Sequence, residues 1–359
     1  VFLALAIVLY AVVDFFLRRY HITRQHLQYG LISFAIATLI LLPLLLPFFQ
    51  LERQYNFSQG RDPSLFSARP ASYLATPASQ WLYGNLTRAF YVASKGQPLF
   101  PGIVALGLAL IGVIVLVYQK NRAWIFPVLL ALTAFVLSFG PLLTLGRATE
   151  SVLPFHLPYY FLAFVLTPLK SLNAPARFAV LVMLALALLA AYGTYALLRR
   201  SPRWGFALAA MCAALLLAEY IPVPLRLAPV STGAQVSPAY LFLAQQPRAP
   251  VVEMPMGKPE FADQDKHVVY TYNSLYHLQP LVNGYSTFIP PDYYALVQDV
   301  QNFPSAAAVS RLKAWGAEWI VVHSDEYKNP NRLRARLNAL PEIEHVQDFN
   351  EIWLYRIRH

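Results

Sequence analysis

A single cysteine in 359 residues, Cys212, excludes a disulfide framework and a thiolate metal site, and that cysteine falls inside an apolar run. Charge is scarce as well: Asp, Glu, Lys and Arg make up 13% of the chain against 57% from the hydrophobic set. Such a mixture excludes an ordinary cytosolic enzyme. HExxH, a glycine-rich phosphate loop, GxSxG, a CxxC pair and a dinucleotide fingerprint are all missing, so no strong catalytic motif is present. Internal repeats are not evident. No signal-peptide n-region precedes Val1, and the chain opens within an apolar run, which predicts a truncated protein whose earlier spans are missing.

What the sequence does have is apolar length. Runs lie at 1–17, 27–49, 101–119, 124–143, 177–197 and 205–223. Each is long enough, at about 17–23 residues, to cross a hydrocarbon layer roughly 30 Å thick. The pattern predicts a mainly α membrane protein of about six transmembrane helices. The shorter piece 155–169 reads as a re-entrant or interfacial segment, and residues 78–92 as one amphipathic helix. The net charge of +10 is gathered in short loops: Arg18, Arg19 and Arg24, then Lys120 and Arg122, then Arg199, Arg200 and Arg203. That bias places those loops on the cytoplasmic side of a bacterial inner membrane, with the bilayer rather than nucleic acid as partner. The transmembrane domain is then 1–228, with outer loops 50–100 and 144–176, and an extracytoplasmic α/β domain follows at 229–359.

In that second part, 250–256 and 317–325 read as strands, 291–303, 306–315 and 329–340 as helices, and 344–359 as a hairpin turning at Phe349-Asn350-Glu351. Residues 267–277 suggest a strand or a helix-capping turn. Were 250–256 and 317–325 parallel neighbours, Glu253 and His323 would approach each other at the sheet's carboxyl edge, where open sheets bind ligands. The segment 282–296 adds Tyr285, Tyr293 and Asp292. The tyrosines suit either sugar stacking or packing, and Asp292 suits an N-cap. A docking surface explains this set equally well. Between runs four and five, His156, Lys170 and Arg177 are cations flanked by aromatics, which suits a lipid-linked phosphate or, on the bland reading, structural anchoring. Asp14, a carboxylate inside an apolar run, stands four residues before Arg18 and pairs with it as readily as it serves function. The sequence indicates no cofactor and leaves a divalent metal open.

The segments SLFSARPASYLATPASQWLYG, SFGPLLTLG and PLKSLNAPARFAVLVMLALALLAAYG, with VNGYSTFIPPDYYAL and RLKAWGAEWIVVHSDEY, resemble the later half of bacterial GT-C-type membrane glycosyltransferases. This is the superfamily of the dolichyl-phosphate-mannose–protein mannosyltransferases and arabinose transferases. The resemblance implies transfer of a sugar from a polyprenyl-phosphate donor to an envelope acceptor. The catalytic acid would lie in a loop upstream of Val1, and Arg177 would neighbour the donor phosphate. The alternatives are a non-catalytic protein that binds or presents an envelope polymer, and a transporter.

Overall fold

The computed structural model describes the chain except residues 1, 19–22, 56–62, 96, 145–151, 166–173, 201–202, 224–226, 228, 258–263, 286–288 and 359. It divides into two compact units, Val1–Arg226 and Leu227–His359.

In the first unit the apolar runs do become helices: α1 (Phe2–Arg18), α2 (Arg24–Tyr55), α4 (Ile103–Tyr118), α5 (Ile125–Ser138), α7 (Ala179–Arg200) and α8 (Gly205–Tyr220). Two short helices, α3 (Arg88–Ala93) and α6 (Pro158–Val165), and an antiparallel pair, β1 (Leu142–Thr144) with β2 (Val152–His156), complete it. The single helix expected at 78–92 is a run of turns followed by α3. The re-entrant segment at 155–169 is the end of β2 followed by α6, its last residues lying outside those described.

Six membrane spans are not what these helices provide. Among the described residues only Gln28–Pro47 and Pro175–Arg199 are long and apolar enough to cross a membrane. The other four stop at 16–17 residues, about 24–26 Å at 1.5 Å per residue, against the roughly 30 Å a bilayer core requires. Their limits are local. Gly102 turns the chain at φ 88° just before α4, and Gly140, at φ 70°, turns it after α5. The six-span fold, the inside and outside loops counted from it, the multi-pass inner-membrane location and the obligate bilayer partner therefore fall together.

What binds this unit is close helix packing. The α4–α7 crossing is built on glycine: a Cβ on Gly112 would sit 2.0 Å from the Leu189 carbonyl oxygen, and one on Gly193 2.0 Å from that of Leu108. Leu130 and Ala134 of α5 are packed into one core with Phe178, Leu181 and Ala185 beside α7. Glu219, buried near the end of α8, reaches the start of α4. Its Oε1 accepts from the Ile103 N–H at 2.8 Å and from the Tyr83 hydroxyl at 2.7 Å, and its Oε2 from the Val104 N–H at 3.1 Å. A carboxylate there satisfies amides that a helix start leaves open.

The second unit contains α9 (Pro238–Ala244), β3 (Val251–Met254), α10 (Gln264–His277), α11 (Pro291–Asp299), α12 (Ala306–Ala314), β4 (Trp319–His323), α13 (Pro330–Asn338), β5 (Ile343–Phe349) and β6 (Ile352–Ile357). The sheet runs β3-β4-β6-β5, parallel between β3 and β4 and antiparallel elsewhere. Both faces are covered, so β3 and β4 read as continuous apolar runs rather than alternating ones. Val252, Met254, Ile320 and Val322 pack with Leu296, Val309, Leu312 and Leu337 of α11, α12 and α13. Val251, Trp319, Val321 and Leu354 pack with Tyr240 and Leu243 of α9. Segment 281–283 lies along the free side of β3, bridging in parallel through Val251 and Leu281. On the far side, β5 is exposed along its middle and its register shifts between His345 and Gln347.

Candidate functional site

Glu253 and His323 meet because the parallel register makes them diagonal neighbours on one face. Glu253 pairs with Val321, and His323 follows two residues later on the same side of the sheet. Glu253 is fully buried, and its Oε2 lies 2.7 Å from Nε2 of His323. The same oxygen accepts from the Tyr240 hydroxyl at 2.9 Å, while Tyr240 in turn accepts from Nδ2 of Asn273 at 3.0 Å. Oε1 of Glu253 is buried with no hydrogen-bond partner.

Nε2 is the ring nitrogen of His323 that Oε2 of Glu253 engages, which leaves Nδ1 as the other. Nδ1 has no partner among the described residues, and the imidazole is the one member of the pair with an outlet, its side chain 13% exposed. The ring stacks on Tyr270 at 4.9 Å and 17°. Burial, then the charges of Glu326 and Glu253, push the Tyr270 phenol well above its ordinary value. Burial and Glu253 do the same for Tyr240. Both hydroxyls therefore stay protonated donors, Tyr270 reaching the Pro255 carbonyl at 3.3 Å and Oε1 of Glu326 at 3.4 Å.

Helix α10 supplies much of this lining, and here the expected strand or capping turn at 267–277 gives way to a helix. His267, Tyr270, Asn273 and His277 are all buried, at spacings of three, three and four residues. That is one face of a helix, but a polar and aromatic face in place of an apolar stripe. The period was readable, the chemistry unlike an ordinary core. His277 stacks on Tyr240 at 5.8 Å and accepts from the Gln279 N–H through Nδ1. Burial pushes its imidazole down to about 4.

The other expected site residues scatter. Tyr285 is exposed, two residues beyond Asn283. Tyr293 is half-buried, its hydroxyl accepting from the Gly284 N–H at 3.1 Å. Asp292 is exposed and does not cap α11, whose N-cap is Pro290. It sits in the first turn, where the helix dipole favours an acid. In the first unit, Arg177 is exposed in the turn Pro175–Phe178, and His156 is exposed with its ring stacked on Tyr160 at 4.0 Å. No contact joins these two residues among the described residues, and Lys170 lies outside them.

No protein-family model matches the sequence, and no curated protein does. Among the described residues no three His, Cys, Asp or Glu side chains are grouped to hold a metal ion. With neither a matching family nor an acidic cluster, and with two spanning-length helices in place of six, the glycosyltransferase resemblance fails. So does the expectation of a polyprenyl-phosphate-linked sugar as donor.

Proposed function

We propose that the second unit is a non-catalytic binding module for a saccharide polymer of the cell-envelope kind, reading it at the carboxyl edge of β3 and β4. The observation that carries this reading is the His323 imidazole: fixed by a buried carboxylate, backed by Tyr270, and left with a free Nδ1. A ring nitrogen so held meets a ligand hydroxyl, which can both donate and accept, without first losing side-chain freedom. Glu253 Oε1 adds a second unmet acceptor in the same cluster. Buried groups of that kind cost about 1–3 kcal/mol each when left alone and call for an explanation by function. Tyr285 emerges two residues past Asn283 on the segment beside β3 and offers an exposed aromatic face.

Binding rather than turnover is favoured because, among the described residues, no hydroxyl or thiol is hydrogen-bonded to the imidazole. The nearest hydroxyl in sequence, Ser324, is buried and donates to the Glu351 carbonyl at 2.7 Å.

Calorimetric titration of the full chain with maltotetraose, cellotetraose, chitotetraose and mannotetraose tests the reading. At least one should bind and be recovered intact. His323→Ala should weaken it about tenfold, the worth of one well-placed hydrogen bond. Binding by none of the four, or equal binding by the variant, sinks the proposal; cleavage products would sink its non-catalytic part.

A further inference from the structure

On the opposite side of the β3 terminus a separate groove opens, and its charge is one-sided. It encloses about 860 Å³ between the end of β3, the segment that follows α11, and α13 with the residues leading into it, within the roughly 300–1,000 Å³ of small-molecule sites. Its walls carry four cations, Lys266, Lys328, Arg332 and Arg336, and one carboxylate, Glu326. Met256 and Phe303 form an apolar floor.

The cations divide into two held and two free. Lys266 is paired with Glu326, so the one acid among the described lining residues already has a partner. Arg336 is fixed by main-chain oxygens, donating from Nη2 to the Pro304 carbonyl at 2.6 Å. The side chains of Arg332 and Lys328 make no hydrogen bond or ion pair among the described residues, the Arg332 main-chain N–H being held by Asn329 Oδ1 at 3.1 Å. The floor is pinned as well: Nε2 of Gln301 donates to the Gly257 carbonyl at 2.6 Å and to that of Val297 at 2.9 Å. Like charges gathered around one concavity raise its potential and draw an anion in, most strongly at low salt.

We infer that this groove binds a phosphate-bearing ligand of diphosphate or sugar-phosphate size. Arg332 and Arg336 stand four residues apart, on one face of α13, and a guanidinium fork meets phosphate oxygens in pairs. Lys266 and Lys328 supply point charges. The apolar floor accommodates the body that carries the phosphate. The saccharide reading is not needed for this assignment, because neither Glu253 nor His323 lines the groove, although Pro255 and Glu326, the partners of Tyr270, do.

The test is calorimetric titration of the full chain at low ionic strength with inorganic pyrophosphate, glucose 1-phosphate and glucose. Pyrophosphate, which has no sugar, should bind at one site, and its affinity should fall as salt rises. Arg332→Gln should weaken it about tenfold and the pair Arg332→Gln, Lys328→Gln about a hundredfold. Arg332→Lys should lose less than Arg332→Gln. Arg311→Gln, which removes a cation paired with Asp299 outside the groove, should change nothing. Glucose 1-phosphate binding more tightly than pyrophosphate would identify the ligand as a phosphorylated sugar; the reverse order would identify a free diphosphate. No pyrophosphate binding, or binding indifferent to the double variant, overturns the assignment. An octathymidylate displacing pyrophosphate at a lower concentration overturns it in favour of nucleic acid. Failure of the neutral tetrasaccharides alone leaves these outcomes unchanged, so the two proposals fail separately.

Discussion

Asn283 holds Glu253 by both of its main-chain groups. Its Oδ1 accepts from the Glu253 N–H at 2.7 Å, and its Nδ2 donates to the Glu253 carbonyl at 2.9 Å. A side-chain amide has here the same donor and acceptor as a peptide of a neighbouring strand, and it completes the ladder where segment 281–283 would otherwise leave β3 bare.

Asn283→Ala should therefore cost about 2–4 kcal/mol, since two buried main-chain groups lose their partners together. Denaturant unfolding of the full chain, followed through tryptophan fluorescence, measures it. A loss below about 0.5 kcal/mol would mean that water replaces the amide and that Glu253 is positioned by the sheet alone.

The α4–α7 crossing gives a sharper contrast. Gly112→Ala places a methyl against the Leu189 carbonyl, and main chain cannot swing aside as a side chain does. A loss of about 3 kcal/mol or more is expected. Gly107→Ala, on the same helix with nothing within 4 Å of the new Cβ, should be neutral or stabilise by about 0.5–1 kcal/mol through helix propensity. Thermal unfolding of both variants decides it; equal effects would mean that the helices do not approach as closely as described.

Glu219→Ala should cost about 2–3 kcal/mol, because the two amides at the start of α4 and the Tyr83 hydroxyl lose one shared acceptor. Glu219→Gln keeps an acceptor oxygen and should recover more than half of that. If glutamine behaves like alanine, the negative charge at the helix start matters more than the hydrogen bonds.

His277 carries a pH prediction. Its folded-state value, about 4, lies below the ordinary 6.5, so the unfolded chain takes up the proton first. The stability this group contributes is whole above about pH 6.5 and is lost as pH falls towards about 4, with a slope of at most about 1.4 kcal/mol per pH unit. Unfolding free energies of wild type and His277→Gln, compared across that window, should diverge in slope. Parallel curves would show that the ring is charged without penalty in the folded state.

Legibility in the sequence followed chemistry more than position. The strands at 251–254 and 319–323 are apolar apart from Glu253 and the terminal His323, and the 343–357 hairpin has a polar turn, so each carried its own signal. The approach of Glu253 to His323 was conditional on a parallel pairing that no local residue encodes; it needed the register. Helix α10 was obscured because its buried face is His, Tyr, Asn and His, residues whose apolar counterpart would have announced a helix. The capping role expected of Asp292 went to Pro290, one turn of argument too coarse for the residue step at a helix start. The largest misreading came from counting apolar residues without counting rise. Composition marks a helix as apolar, but Gly102 ahead of α4 and Gly140 after α5 set where the chain turns into the one and out of the other.

The two margins of the second sheet are closed by unlike means. Beside β3, segment 281–283 and the Asn283 amide take up the groups that an incoming strand would need. Along β5, the shifted register between His345 and Gln347 interrupts the row of main-chain donors, and Glu344, His345 and Asp348 surround the break with charge or polarity. A second copy of this unit thus finds no straight ladder to extend from either side. Whatever assembles with it has to recognise side chains, and the unit is protected from the runaway strand addition that open sheets invite.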